Sequence, residues 1–250
     1  MTSPSTQKIK IMGILLDRVD YDRALQKIER FLETGGPGVI VTPNAEIIMA
    51  ARKNEKLKEA VNGADLCFPD GIGVVLAARI IGKSLYGRTA GFDLMTQMLD
   101  MAARRNLSVF LLGGKPGVAE EAAGSIKVKF PGIKIAGTHH GYFDENGEGQ
   151  IIDMINKSGA HILLVAMGAP KQEIFMIKNR NKLHCSIAMG VGGSLDVLAG
   201  RVHRAPVFMQ KAGLEWLYRL VTQPTRIKRM SVLPLFIIDV ILDRLRQNKL

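Results

Sequence analysis

Along the first 200 residues, short apolar runs alternate with stretches of helical spacing, and no other feature constrains the fold as tightly. Ile9 to Leu16, Val39 to Thr42, Leu66 to Phe68, Ser108 to Leu112, Lys134 to Gly137, Ile162 to Ala166 and Ser186 to Met189 read as strands. Between them, helical periodicity predicts Tyr21 to Glu33, about Ala45 to Val61, Ile72 to Ile81, Phe92 to Arg105, Val118 to Lys129, about Gly149 to Lys157, and Lys171 to Asn181. Strands this short and this continuously apolar must be covered on both faces. A mostly parallel sheet with helices on either side does this, so the expected class is α/β. Beyond Gly200 only helical patterns follow, with Pro206, Pro224 and Pro234 as starts or breaks. The expected organisation is an α/β body over residues 1–200 and a helical appendage over 201–250. That appendage is too short and too basic for a core of its own, so it is expected to dock on the body or on something external.

The chain has 250 residues and a hydrophobic content of 47%, enough for one large core. Cys67 and Cys185 fall in predicted strands far apart in sequence, which suits buried apolar thiols in a reducing compartment. The first twenty residues lack a signal-type apolar stretch, and the longest apolar run, Val232 to Leu242, is about half of the roughly 20 residues a spanning helix needs. A cytoplasmic, non-spanning chain is therefore expected. Of the net charge of +11, residues 201–250 carry +7, from ten Lys/Arg and three Asp/Glu. A basic, aliphatic segment with Trp216 and Tyr218 fits an anionic membrane surface. A solvated face with a partner contact is the plainer alternative. Nucleic acid is disfavoured, because no basic cluster is interleaved with stacking aromatics.

Polar motifs stand where predicted strands end, which is where open α/β sheets bind ligands. Asp70, between Pro69 and Gly71, is placed either to take a proton from a substrate hydroxyl or to cap the next helix. Thr42 and Asn44 flank Pro43 and offer the same choice between sugar hydroxyls and capping. Arg88, in a glycine-flanked loop, suits a diphosphate because guanidinium binds phosphate oxygens in a fork; an exposed loop arginine is the alternative. Gly113 opens a glycine-rich turn that matches neither the P-loop nor the dinucleotide fingerprint. Gly192, Gly193 and Asp196 form a second such turn, where the glycines admit a ligand to the backbone and the Asp accepts from a ribose. His139 and His140 are adjacent in an extended segment, so they should face apart and chelate one metal ion poorly. No metal and no cofactor is expected, and serine or cysteine hydrolase motifs are absent.

Taken together, TPNAE at 42–46, PDG at 69–71, GRTAGFDL at 87–94, GTHHGYF at 137–143, GAPKQE at 168–173, GVGGSLDVLAG at 190–200, RAP at 204–206 and LEWLYRL at 214–220 resemble the WecG/TagA/CpsF glycosyltransferase family. The resemblance implies a Rossmann-like α/β body with a membrane-directed C-terminal appendage. It also implies an inverting transferase that moves N-acetylmannosamine from a UDP donor to the 4-hydroxyl of N-acetylglucosamine on undecaprenyl diphosphate. One branch makes the wall teichoic acid linkage unit and another transfers the corresponding uronic acid. By matching motifs, Asp70 corresponds to the catalytic base, Thr42 and Asn44 to the sugar pocket, and Arg88 and Gln172 to further site contacts. Arg219, Arg226 and Arg229 correspond to appendage arginines over the diphosphate. The implied location is the inner face of a bacterial plasma membrane. A homo-oligomer is compatible with the sequence, and the rival classes are a non-catalytic nucleotide-binding module and a membrane adaptor.

Overall fold

The computed structural model describes residues 7–86, 90–222 and 232–247. The chain opens with an antiparallel hairpin, β1 (Lys8–Ile11) and β2 (Ile14–Asp17). A single strand was expected here. Met12 and Gly13 both take positive φ, 48° and 87°, the requirement of a two-residue hairpin turn, and they fold the run back on itself. The hairpin is tied down by Asn62, whose Oδ1 accepts from Leu15 N–H and whose Nδ2 donates to the Gly13 carbonyl. The fully buried Asp17 accepts from Cys67 N–H at 2.8 Å.

Helix α1 (Tyr21–Phe31) is followed by β3 (Gly38–Val41), α2 (Ala45–Ala51), α3 (Glu55–Asn62), β4 (Leu66–Cys67) and α4 (Ile72–Ile80). The one long helix expected after β3 is two, because Asn54 adopts an extended backbone and its side chain caps α3 through Leu57 N–H. Next come α5 (Gly91–Arg104), β5 (Ser108–Gly113), α6 (Val118–Lys129), β6 (Lys134–His139), α7 (Glu145–Lys157), β7 (Ile162–Ala166), α8 (Lys171–Lys178) and β8 (Ile187–Gly190). Helix α7 begins four residues earlier than its periodicity suggests, since Asp144 caps it through Gly147 N–H. The last elements are α9 (Ser194–Leu198), α10 (Val207–Lys211), α11 (Glu215–Thr222) and α12 (Val232–Gln247).

Six strands form one parallel sheet in the order β4-β3-β8-β7-β5-β6. Its faces carry separate apolar clusters. One joins the hairpin, α2, α3, α4 and α7 to Val39, Val41, Leu163 and Val165. The other joins α1, α5, α6 and α9 to Ile40, Leu111, Leu164 and Met189. The fold is the expected α/β class, with the strand alternation of the sequence realised as side chains pointing to opposite layers. Both cysteines are buried free thiols, and burial pushes Cys185 up to about 12 and Cys67 higher still, so neither is a nucleophile at neutral pH.

The C-terminal helix α12 packs on α2 and α4, with Phe236 and Val240 fully buried and Asp239 paired to Arg52. The contact with α4 is close enough that a Cβ at Gly73 would lie 2.5 Å from Leu233 Cδ1. Leu235, Ile238, Leu242 and Leu245 remain exposed on the outer side at 45–54%. Among the described residues no helix is long and apolar enough to cross a membrane.

Candidate active site

The chain leaves β3 toward the layer of α2 and α3, and leaves β8 toward the opposite layer, where α9 packs on α6. Adjacent parallel strands whose connections diverge in this way open a crevice between their carboxyl ends. Thr42, Asn44 and Asp70 stand on the β3–β4 side of it, and Gly168, Gln172, Gly192 and Gly193 on the β7–β8 side.

Asp70 follows β4 and is half-buried. The cap position of α4 belongs not to Asp70 but to Gly71, at φ 83° and ψ 163°. The Asp70 carboxylate instead accepts through Oδ1 from Gly91 N–H, at 3.1 Å, the first residue of α5. That amide is one of the donors a helix start leaves unsatisfied, so α5 orients the carboxylate from a different element. Thr42 sits against the same point: a Cβ at Gly91 would lie 2.9 Å from Thr42 Oγ1. The start of α5 is fixed in turn by Tyr21, whose Oη accepts from Ala90 N–H at 2.7 Å and whose ring packs on Phe68 at 5.5 Å. Asn44 is the N-cap of α2, accepting from Ile47 N–H at 3.0 Å, so one face of its amide has a structural task.

On the other side Gln172 is 4% exposed and ties two loops together. Its Oε1 accepts from Gly168 N–H at 3.2 Å and Gly192 N–H at 3.1 Å, and its Nε2 donates to Glu173 Oε1 at 2.8 Å. The amide orientation is set by this network, because a flipped group would point a donor at two donors. Glu173 is 1% exposed and its Oε2 has no hydrogen-bond partner among the described residues. Burial, only partly opposed by the bonds from Gln172 and a backbone N–H, holds its carboxyl above the usual range. The preceding turn contains a cis Ala169–Pro170 bond.

The glycine turns divide. At Gly113, φ is 135° and a Cβ would lie 2.4 Å from the Ala166 backbone, so close approach of β5 to the end of β7 explains the residue without a ligand. Gly192 has open space on its Cα, and Gly193 is the N-cap of α9. Asp196 is half-buried in the first turn of α9, and its carbonyl accepts from Arg201 N–H at 3.0 Å. The rings of His139 and His140 lie 4.3 Å apart rather than on opposite faces, since β6 ends at His139 and the chain turns there. Among the described residues no group of three His, Cys, Asp or Glu side chains is arranged to hold a metal.

Arg219 lies 3.7 Å from Glu215, Glu215 lies 3.5 Å from Arg204, and Arg204 donates to Asp93 at 2.7 Å in the first turn of α5. Arg204 also covers the Phe92 ring at 4.4 Å. Burial works against its charge, but Asp93 and Glu215 outweigh it and hold the guanidinium firmly protonated. Residues beyond Gly200 are thereby linked to the helix whose first amide binds Asp70. Arg88, Arg226 and Arg229 lie outside the described residues. Gly91, Tyr21, Asp93 and Glu173 were not singled out from the sequence; for Gly91, Asp93 and Glu173 the signal available was their position inside the motifs GRTAGFDL and GAPKQE, and for Tyr21 there was none.

Residues 9–250 match the glycosyl transferase WecG/TagA/CpsF family. The chain belongs to that family. It is also 40% identical over 211 residues to an N-acetylglucosaminyldiphosphoundecaprenol N-acetyl-beta-D-mannosaminyltransferase of Bacillus spizizenii, covering 84% of this chain and 81% of the relative. The chain is a glycosyltransferase.

Proposed function

We propose that this glycosyltransferase moves N-acetylmannosamine from UDP-N-acetylmannosamine to the 4-hydroxyl of N-acetylglucosamine on undecaprenyl diphosphate, with inversion, in assembly of the wall teichoic acid linkage unit. The observation that carries the reading is the 40% identity to a mannosaminyltransferase over most of both chains. Asp70, held by Gly91 N–H at the crevice, takes the proton of the acceptor hydroxyl as its oxygen attacks the anomeric carbon. The bond from that carbon to the diphosphate breaks, its electron pair leaves on UDP, and Arg88, Arg219, Arg226 and Arg229 stabilise the charge that develops. Thr42 and the Asn44 amide contact the sugar, and the Gln172-bracketed loops with Gly192, Gly193 and Asp196 receive the nucleotide. No metal takes part in this scheme.

Residues 201–250 act as an appendage that brings the body to the inner face of the plasma membrane. In support, the described outer side of α12 is apolar and the segment as a whole is basic. The test is product formation from UDP-N-acetylmannosamine, and in parallel from its uronic acid, on a short-chain lipid diphosphate N-acetylglucosamine. Asp70→Asn should lower single-turnover rate about 100- to 10,000-fold while donor binding stays within a few fold. A variant that keeps most of its rate removes Asp70 as the base, and turnover only with the uronic acid donor replaces the proposed sugar.

A further inference from the structure

A groove of about 960 Å³ lies at the opposite, amino end of the sheet, where β3 begins at Gly38 and Asp65 precedes β4. Its size suits a nucleotide-sized ligand. Its lining includes Arg23, Lys27 and Arg30 of α1 together with Arg18, Tyr86 and Arg180. Five cationic side chains thus face one lining carboxylate, Asp65. That carboxylate is already spent, since Arg180 binds it at 2.7 Å and Val39 N–H donates to it at 2.8 Å. Lys27 pairs with the buried Asp17 at 3.2 Å, and Arg23 has Asp20 at 3.9 Å.

Arg18 and Arg30 have no carboxylate within ion-pair distance among the described residues. Arg18 is held by neutral partners only, donating from Nη1 to Gln7 Oε1 at 2.9 Å and from Nη2 to Ser84 Oγ at 2.8 Å. Its Nε is buried with no partner among the described residues. Arg18 and Arg23 both stand over the Tyr86 ring, 5.5 and 4.7 Å from its centre, so two guanidinium groups are gathered at one aromatic instead of being dispersed. Gathering like charges in a concave surface costs energy that an anion recovers, and guanidinium forks match phosphate oxygens.

We propose that this groove is a second anion site, separate from the strand-end crevice, that takes a soluble ligand bearing a di- or triphosphate group. A lipid headgroup is a poorer occupant. The groove lies at the amino end of the sheet, whereas α10–α11 of the basic C-terminal segment adjoin the starts of α4 and α5 at its carboxyl end.

The test is calorimetric titration of the full chain with inorganic tripolyphosphate at fixed ionic strength and without UDP, whose own diphosphate would compete for the groove. It reads binding alone, so its result does not depend on the proposed transfer reaction. One saturable site is expected. Arg30→Gln and Arg18→Gln should each weaken it about tenfold, and Lys127→Gln, an exposed charge on α6, should leave it unchanged. Arg30 is exposed on α1, so its variant reports binding without a folding defect even if Arg18→Gln destabilises the hairpin. The proposal is overturned by absence of saturable binding, by binding insensitive to both arginine variants, or by equal weakening in Lys127→Gln.

Discussion

Replacing Gln172 with Met separates two roles for this residue, a substrate contact and a bracket between loops. Methionine keeps the length and volume of the side chain but neither its acceptor nor its donor. The bonds lost are those to Gly168 and Gly192 N–H and the one given to Glu173. The two glycine amides are half-buried and recover part of their bonding from water, so each loss costs about 0.5–1.5 kcal/mol. Glu173 is buried, and its other oxygen already lacks a partner, so losing the Gln172 donor costs about 1–3 kcal/mol more. The total is about 4 kcal/mol, which in a chain of this size lowers Tm by about 8–16 °C. Urea and thermal unfolding of the variant, followed by circular dichroism at pH 7, measure this directly. Donor binding should weaken as well, because the loops lose their register. If Gln172→Met unfolds within about 0.5 kcal/mol of the parent while donor affinity falls, the bracket reading fails and Gln172 is a contact only.

Glu173→Gln should change the pH dependence of stability. The native carboxyl is held above its unfolded value of about 4.3, so below that value both states are protonated and the acid costs nothing; as pH rises the unfolded state ionises first and native stability is lost. The variant should therefore match the parent at acidic pH and become relatively more stable toward neutrality in urea midpoints; a gap independent of pH would contradict this. Gly113→Ala forces a Cβ into the Ala166 backbone and should cost about 3–5 kcal/mol, whereas Gly124→Ala, exposed on α6 with nothing within 4 Å, should gain about 0.5–1 kcal/mol. Equal stabilities in thermal unfolding would refute the close-approach argument. Leu235→Gln with Ile238→Gln should reduce sedimentation with anionic vesicles while leaving the unfolding transition in place, and unchanged sedimentation would remove the α12 outer side from the membrane contact.

The sequence by itself determined the layer order of this protein. Period-2 and period-3.6 patterns are local, so β5, α6 and β7 could be read nearly to the residue, and the fold class followed from their alternation. It also marked the motifs at strand ends, since a polar run after an apolar one is visible in one dimension. Where a local signal was a single backbone choice, the pattern misled: Met12-Gly13 turned one expected strand into a hairpin, and Asn54 cut one expected helix in two. Only the tertiary structure decided what each polar residue faces. Asp70 was equally a base or a cap in sequence, and it was packing that set it against the first amide of α5, 21 positions away. Gly113 and Gly192 both read as ligand turns, yet the approach of β7 accounts for one and a glutamine from α8 binds the other. The burial of Glu173 and the ion-pair path from Arg219 through Arg204 to Asp93 join residues remote in the chain or hidden inside a motif. Periodicity reports which side of an element is apolar, but hydrogen bonds and charges act over a few ångströms, and only the folded chain brings those groups within that distance.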